Sequence, residues 1–415
     1  MPKHFLCWPL LLGVAVLISP LVDPRLVSRS ATITDLFAAA DSTSPRLLEA
    51  KLEVARTRAF FGEQRAVPNP TLFGSSEDLG NDQASVTERT IGFRQDLGFL
   101  WSMGAQRSSA SAAVAAAEAR YDQERIDIQI NLLLKVIRLQ QLIASLQLSD
   151  TLERRYAEIL MANDAREREG DISGFDAQRV RIESIAVTNR RVALQTELRD
   201  LIIYLSRETG LDESTLRTLD VEAIDSPSFT SSDEALAYAE SHAPELRFLE
   251  ANDAATSKSV TAAKLKRLPN LSVGVGQKST DRDESGLLIE AELEIPLFNW
   301  RGSALQQARA EQYNAIRRHA NAKSQLAEVV SSAFERWQEV RRVSYESLRL
   351  DELVNHVNAA HSLYLSGETG YLELLDAFQS SEEILSAAYE LVTARIEADL
   401  RLREVTGYPI VNEGK

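Results

Sequence analysis

A chain of 415 residues, 44% hydrophobic and 26% charged, is long enough for one large or two ordinary domains, and its composition argues against disorder. The formal net charge of −15 argues against nucleic-acid binding, which needs a basic face, and suits a path for cations or a surface that takes basic partners.

The first segment, MPKHFLCWPLLLGVAVLISP, sets Lys3 and His4 before an apolar run from Phe5 to Ile18. This is the pattern of a secretory signal peptide, expected over residues 1–30, with small residues Ser28, Ser30 and Ala31 near its end. Pro9 and Pro20 interrupt the run and make it short for a spanning helix. Cys7, the one cysteine, precedes the end of the apolar run, so the mature chain is expected to lack thiol chemistry and disulfides. No later stretch is apolar enough to span a membrane as a helix, so an integral form must cross as strands.

Residues 34–67 predict helix, with a break at Pro45 and an end at Pro68-Asn69-Pro70. Weaker strand patterns follow at 71–79 and 86–97, around the turn signal Gly80-Asn81-Asp82. Phe99, Trp101 and Gly104 then lead into a long helical run. A glycine-bounded turn, Gly170-Asp171-Ile172-Ser173-Gly174-Phe175, reverses it into a helix that stops at Gly210. Leu211–Ser232 reads as a linker.

The same order then repeats. Pro244 matches Pro45, and Pro269-Asn270 precedes a third strand in which Leu271, Val273 and Val275 alternate with Ser272, Gly274 and Gly276. In the fourth, Leu287, Ile289, Ala291, Leu293 and Ile295 share one face and Glu290, Glu292 and Glu294 the other, because strand side chains alternate with period two. Each run is about the 9–11 residues that a tilted strand needs to cross a bilayer. Phe298 and Trp300 match Phe99 and Trp101, and Gly302 approximates Gly104. One helix from Ser303 to about Leu365 would reach about 95 Å at 1.5 Å per residue. It ends at a second turn, Gly367-Glu368-Thr369-Gly370-Tyr371, and the return helix stops at Gly407. Ser173 or Thr369 can cap the returning helices. None of the 12 prolines falls within 71–226 or 297–408. Leu326, Val330, Ala333, Trp337 and Val340 step as a coiled-coil seam, as do Ile126, Ile130, Leu133 and Ile137. The expected organisation is therefore a tandem duplication, with repeats at 31–210 and 233–410, hairpins at 71–97 and 271–296, a linker at 211–232 and a tail at 411–415.

Catalytic, cofactor and metal sites are not expected. Among the five histidines, His356 and His361 lie five apart and do not share a helix face well, which predicts solvated positions. Gly274-x-Gly276 lacks the third glycine and helix start of a dinucleotide loop. The geometry points elsewhere. Four strands cannot close a membrane barrel, since barrels start at about 8, and lipid forbids open edges. Three copies would supply about twelve strands around a wide lumen, whereas two would give an interior that side chains largely fill.

In this order and duplication the chain resembles the TolC-like outer-membrane efflux proteins, from Thr34 to Tyr408. The resemblance is carried by Pro68-Asn69-Pro70, Pro269-Asn270-Leu271, Glu294-Ile295-Pro296-Leu297-Phe298 with Gly302 and Ala308, and the two helix turns. One departure, Asp96-Leu97-Gly98-Phe99, leaves the end of the second strand open. The resemblance implies an α+β membrane protein: a homotrimer whose outer-membrane β-barrel continues into a periplasmic α-helical coiled-coil barrel. It implies no enzyme activity and no cofactor, and docking at the helix tips to a periplasmic adaptor and an inner-membrane pump. The modest length is most similar to the branch working with heavy-metal pumps of the resistance-nodulation-division type. A type I protein secretion duct would share the fold, and a periplasmic coiled-coil scaffold would explain the helices but not the strands.

The expected functional surfaces follow. Glu290, Glu292 and Glu294 should face the lumen, Trp101 and Trp300 the inner membrane rim next to lipid, and 77–84 and 278–285 the cell exterior. Gly170, Asp171, Gly174, Phe175, Gly367, Glu368, Gly370 and Tyr371 should form the tips that an adaptor touches.

Overall fold

Pro45 and Pro244 each open a helix immediately after another has ended, where a missing N–H costs nothing. The computed structural model describes residues 31–219 except 82, 83 and 171, residues 227–343 except 297 and 299, and residues 349–410. The expected signal peptide, the 411–415 tail and Asp171 lie outside the described residues. Within them run α1 (Ile33–Thr43), α2 (Pro45–Arg65), β1 (Thr71–Asn81), β2 (Ala84–Asp96), α3 (Phe99–Glu169), α4 (Gly174–Thr209) and α5 (Glu213–Arg217). The second half supplies α6 (Ser232–His242), α7 (Pro244–Leu265), β3 (Asn270–Thr280), β4 (Ser285–Glu294), α8 (Gly302–Arg342), α9 (Leu350–Ser366) and α10 (Tyr371–Thr406).

The four strands form one antiparallel sheet in the order β1-β2-β3-β4, so β1 and β4 are its two edges. The second strand ends at Asp96. Its carboxylate accepts the Gly98 N–H at 2.7 Å and the Asn270 amide at 2.7 Å, which turns the chain into α3 where the other half has Pro296.

Helix α3 is continuous over 71 residues, about 105 Å at 1.5 Å per residue. Its counterpart is not one helix. Helix α8 ends at Arg342 with Val343 in an extended conformation, and helix resumes at Leu350. No proline marks this end, so reading long helices from proline gaps overlooked it. Val343 is β-branched and gains less from continuing a helix than straight-chain residues do. Both coiled-coil seams carry the core: Leu133 and Ile137 on α3, and Leu326, Val330, Ala333 and Trp337 on α8, are buried. The stretch expected as a linker also contributes, since Leu216, Leu219 and Phe229 are buried against the helices.

Arginine–carboxylate pairs staple neighbouring helices at intervals. Arg138 reaches Glu197 with Nε and Nη2 both at 2.8 Å, Arg191 reaches Asp150 at 2.5 Å, and Arg190 reaches Glu382 at 3.0 Å. Exposed pairs of this kind contribute about 0–1 kcal/mol each, so their effect is on register more than on stability. A different network sits inside. Arg403 Nε donates to Asp399 at 2.6 Å, and Trp337 Nε1 donates to the other Asp399 oxygen at 3.2 Å. The guanidinium also donates to the Pro409 carbonyl and lies 5.3 Å from the Tyr408 ring centroid. This group locks α8, α10 and the chain end together.

Candidate functional site

The strand register sorts the sheet into two chemically opposite faces. Thr71, Arg94, Gly274 and Glu290 form one cross-strand row, and Phe73, Gly92, Gly276 and Leu288 the next. Because side chains alternate, Glu88, Asp96, Asn270, Lys278, Glu292 and Glu294 lie on this same face. The opposite face carries Leu72, Ile91, Phe93, Val275, Leu287, Ile289 and Leu293, all exposed. An apolar patch running unbroken across four strands is far more than a water-facing sheet tolerates.

The polar face is not simply acidic. Arg94 Nε and Nη2 donate to one Glu290 oxygen at 2.9 and 2.5 Å, and Arg94 Nη1 lies 3.1 Å from Glu292. Lys278 pairs with Glu88. Two of the three β4 carboxylates expected on one face are thus paired with an arginine. Reading β4 alone could not show it, because the cation comes from β2, 196 positions away in sequence. Glu294 is exposed at the strand end.

At the foot of the sheet the chain passes into helix through two tryptophans in different settings. Trp101 is half-buried in the first turn of α3, and Trp300 is 58% exposed before α8. Arg267 Nε donates to the Trp300 carbonyl at 3.0 Å, and Arg301 donates to the Lys266 carbonyl at 3.1 Å. Arg301 takes φ 49°, a left-handed conformation costly for a residue with a side chain, and these reciprocal bonds between neighbouring segments hold it there.

At the far end the two helix turns lie side by side. Gly170 and Gly367 adopt φ 85° and 78°, the left-handed cap that lets a helix stop and the chain reverse. Arg166 on α3 donates to the Leu365 carbonyl at 2.8 Å, and Tyr364 donates to Asn163 Oδ1 at 2.9 Å, joining α3 to α9. Ser173 caps α4 by accepting the Asp176 N–H at 3.1 Å. Thr369 does not do the same: α10 starts one residue later, at Tyr371, with Gly370 as its uncapped N-terminal neighbour, and the Thr369 hydroxyl is buried without a partner. Phe175 and Tyr371, expected as equivalent, also differ. Phe175 is 70% exposed while Tyr371 is 8% exposed, its hydroxyl pushed up to about 12 by burial. Arg179 lies 5.8 Å from the first ring centroid and 5.6 Å from the second, bridging the two halves.

No protein-family model and no curated protein sequence matches the chain. Solved structures do. Over 90% of its length it superposes on CusC, described for transmembrane channel formation, with 19% identity, a TM-score of 0.63 and 91% of that chain covered. The outer membrane protein VceC of Vibrio cholerae gives 17% identity, a TM-score of 0.65 and 90% and 96% coverage of the two chains. The Campylobacter jejuni CmeC outer membrane channel gives 14% identity, a TM-score of 0.68 and 90% and 85% coverage. The chain has the fold of the TolC-like outer-membrane channels.

Within that fold several side chains matter that the sequence pattern did not single out: Arg94 and Phe73 on the sheet, Arg166, Arg179 and Asn163 at the tips, and His361. His361 is buried, not solvated as its spacing suggested, and its Nε2 lies 3.0 Å from Glu158. Burial, then the nearby Arg155 charge, hold it below the usual histidine range, opposed by Glu158. Arg155 in turn bonds both Glu158 at 2.8 Å and Asn358 at 2.9 Å. Among the described residues no group of three or more histidine, cysteine, aspartate or glutamate side chains comes together as a metal site, and no helix is long and apolar enough to cross a membrane.

Proposed function

We propose that this chain is one protomer of an outer-membrane export channel. It conducts cargo passively from an inner-membrane pump, reached through a periplasmic adaptor, to the cell exterior. The observation that carries this reading is the four-stranded sheet with one exposed apolar face, one polar face and two open edges. Such a sheet is stable in lipid only when other copies close it. Three copies supply about twelve strands, leaving a water-filled lumen lined by the polar face, Glu290, Glu292 and Glu294 included. The helices continue the tube through the periplasm, and the repeated element order fits a duplicated chain. The turns at Gly170–Gly174 and Gly367–Tyr371 meet the adaptor, and the hairpin end at Asp281 faces outward. A proton-driven pump of the resistance-nodulation-division type and heavy-metal cations as cargo are the partner and substrate that the acidic balance and the family resemblance favour.

The assembly is tested by extracting the protein from an outer-membrane fraction and measuring its mass in detergent. Three copies are expected; a monomer overturns the barrel. A D281C variant should react with an impermeant thiol reagent on intact cells, and reaction only after outer-membrane rupture would reverse the orientation. Deleting the gene should lower the tolerated concentration of a transition-metal cation. Loss of a secreted protein instead would assign the chain to a protein secretion duct.

A further inference from the structure

The polar face holds one built arrangement that the channel reading alone does not explain. Arg94 does not stand out from β2. The Glu290 side chain reaches back from β4 across β3 to meet it. Glu290 can do so because its neighbour in the row, Gly274, has no side chain and is buried beneath it. A Cβ on Gly274 would fall 2.6 Å from both Cγ and Oε1 of Glu290. In the next row Gly92 and Gly276 leave the same kind of space, and a Cβ on Gly92 would fall 2.7 Å from the Phe73 ring. The Phe73 ring occupies that space, with its centroid 5.1 Å from the Arg94 guanidinium. One cation is therefore held on three sides: by Glu290, by Glu292 and by an aromatic ring. A guanidinium keeps its charge at any physiological pH and presents its donors in a fixed fork, so this is a permanent feature of the wall.

We propose that Arg94 is a specificity-determining residue of the conducting path, held by Glu290 above Gly274 so that it offsets one of the two charges of Glu290 and Glu292 and weakens the cation selectivity of the barrel. This rests on the reading of the polar face as the lumen. Free, the two carboxylates would concentrate cations in that stretch and slow their release. Paired, they leave a passage that basic cargo traverses without being retained. The trio of Arg94, Glu290 and Glu292 then keeps a single net negative charge, so Glu294 at the strand end contributes as much to the field as the whole trio.

Planar-bilayer recording of the purified channel in a potassium chloride gradient tests this. At about 0.1 M salt, where charges act over about 10 Å, R94Q should raise the potassium-to-chloride permeability ratio on the order of threefold, and the change should shrink at about 1 M salt. R94K should restore most of the original ratio, because charge and not only packing is at issue. G274A should shift the ratio in the direction of R94Q, since it displaces the Glu290 carboxylate and leaves the backbone intact. The double variant E290Q/E292Q should shift it toward chloride, and this measurement stands if R94Q does not assemble. An unchanged ratio in R94Q and in E290Q/E292Q overturns the role of Arg94 while leaving the channel reading intact. A wild-type protein that forms no ion-conducting pore overturns both.

Discussion

Arg166 Nη2 donates to the Leu365 carbonyl at 2.8 Å, and its Nη1 lies 3.4 Å from the Tyr364 carbonyl. A side chain of the first half thus satisfies the Leu365 carbonyl at the end of α9, in the second half, and gives a second partner to the Tyr364 carbonyl, which already accepts the Gly367 N–H at 3.1 Å. R166A removes a charge-assisted bond worth about 1.5–3 kcal/mol. We expect amide exchange at Gly367 and Glu368 to quicken at least about tenfold, corresponding to about 1.4 kcal/mol, with α3 unaffected at its sheet end. Equal acceleration along the whole of α9 would show that Arg166 supports the fold generally and not the tip.

The tips should also respond to acid. His361 is held neutral by burial and by Arg155, against the pull of Glu158, so its folded value lies below the unfolded value of about 6.5. The unfolded chain binds the extra proton first, so stability is full above that value and falls as pH drops through it toward the folded value. Thermal unfolding followed from pH 7.5 to 5.5 should show a loss that H361Q flattens. A wild-type slope retained in H361Q would assign the titration elsewhere.

Asp399 neutralises an arginine that is only 2% exposed. D399A would leave Arg403 charged and unpaired inside the helical core, a defect costing about 3–5 kcal/mol. W337F removes one hydrogen bond to the same carboxylate, at a cost of about 0.5–1.5 kcal/mol. Denaturant titrations should rank D399A well below W337F. Equal stabilities would mean that the pair is solvated in solution.

If the foot of the sheet lies at the membrane surface, the exposed Trp300 ring should be within reach of lipid. In single-tryptophan variants reconstituted in liposomes, shallow quencher-labelled lipids should quench Trp300 strongly. Trp101, half-buried in the first turn of α3, should be quenched less. Absence of quenching at Trp300 would make it a packing residue of the strand–helix junction.

The tip glycines offer a test of docking. A Cβ at Gly174 would sit 3.2 Å from Glu167 Oε1, and one at Gly370 only 2.7 Å from Glu373 Oε2. Both neighbours are flexible side chains that can move aside. G174E and G370E should therefore leave the assembly intact in detergent while abolishing export in cells. Loss of assembly in both variants would make these glycines structural first.

Most elements were legible in the residues themselves because each follows from a short-range rule. Glycine at a left-handed cap, proline at a first turn and period-two alternation depend on neighbours within a few positions. The turns at Gly170 and Gly367, the breaks before Pro45 and Pro244, and the apolar face of β4 follow from these rules. The early end of α8 escaped because weak helix formers permit a break without requiring one, and packing decides.

The site was legible only in outline. Glu290 and Glu292 declare a polar face by their spacing, but not that Arg94 covers them, because that contact needs the β2-β3-β4 register and the empty place at Gly274. Phe175 and Tyr371 occupy matching turns, yet one is exposed and the other buried. The burial of His361 likewise depends on α3 lying against α9. Local sequence determines which way each backbone segment runs and which face is apolar. Which charge meets which is decided only when segments about two hundred residues apart come within a few ångströms, since electrostatic and packing energies depend on distance in space and not on separation along the chain.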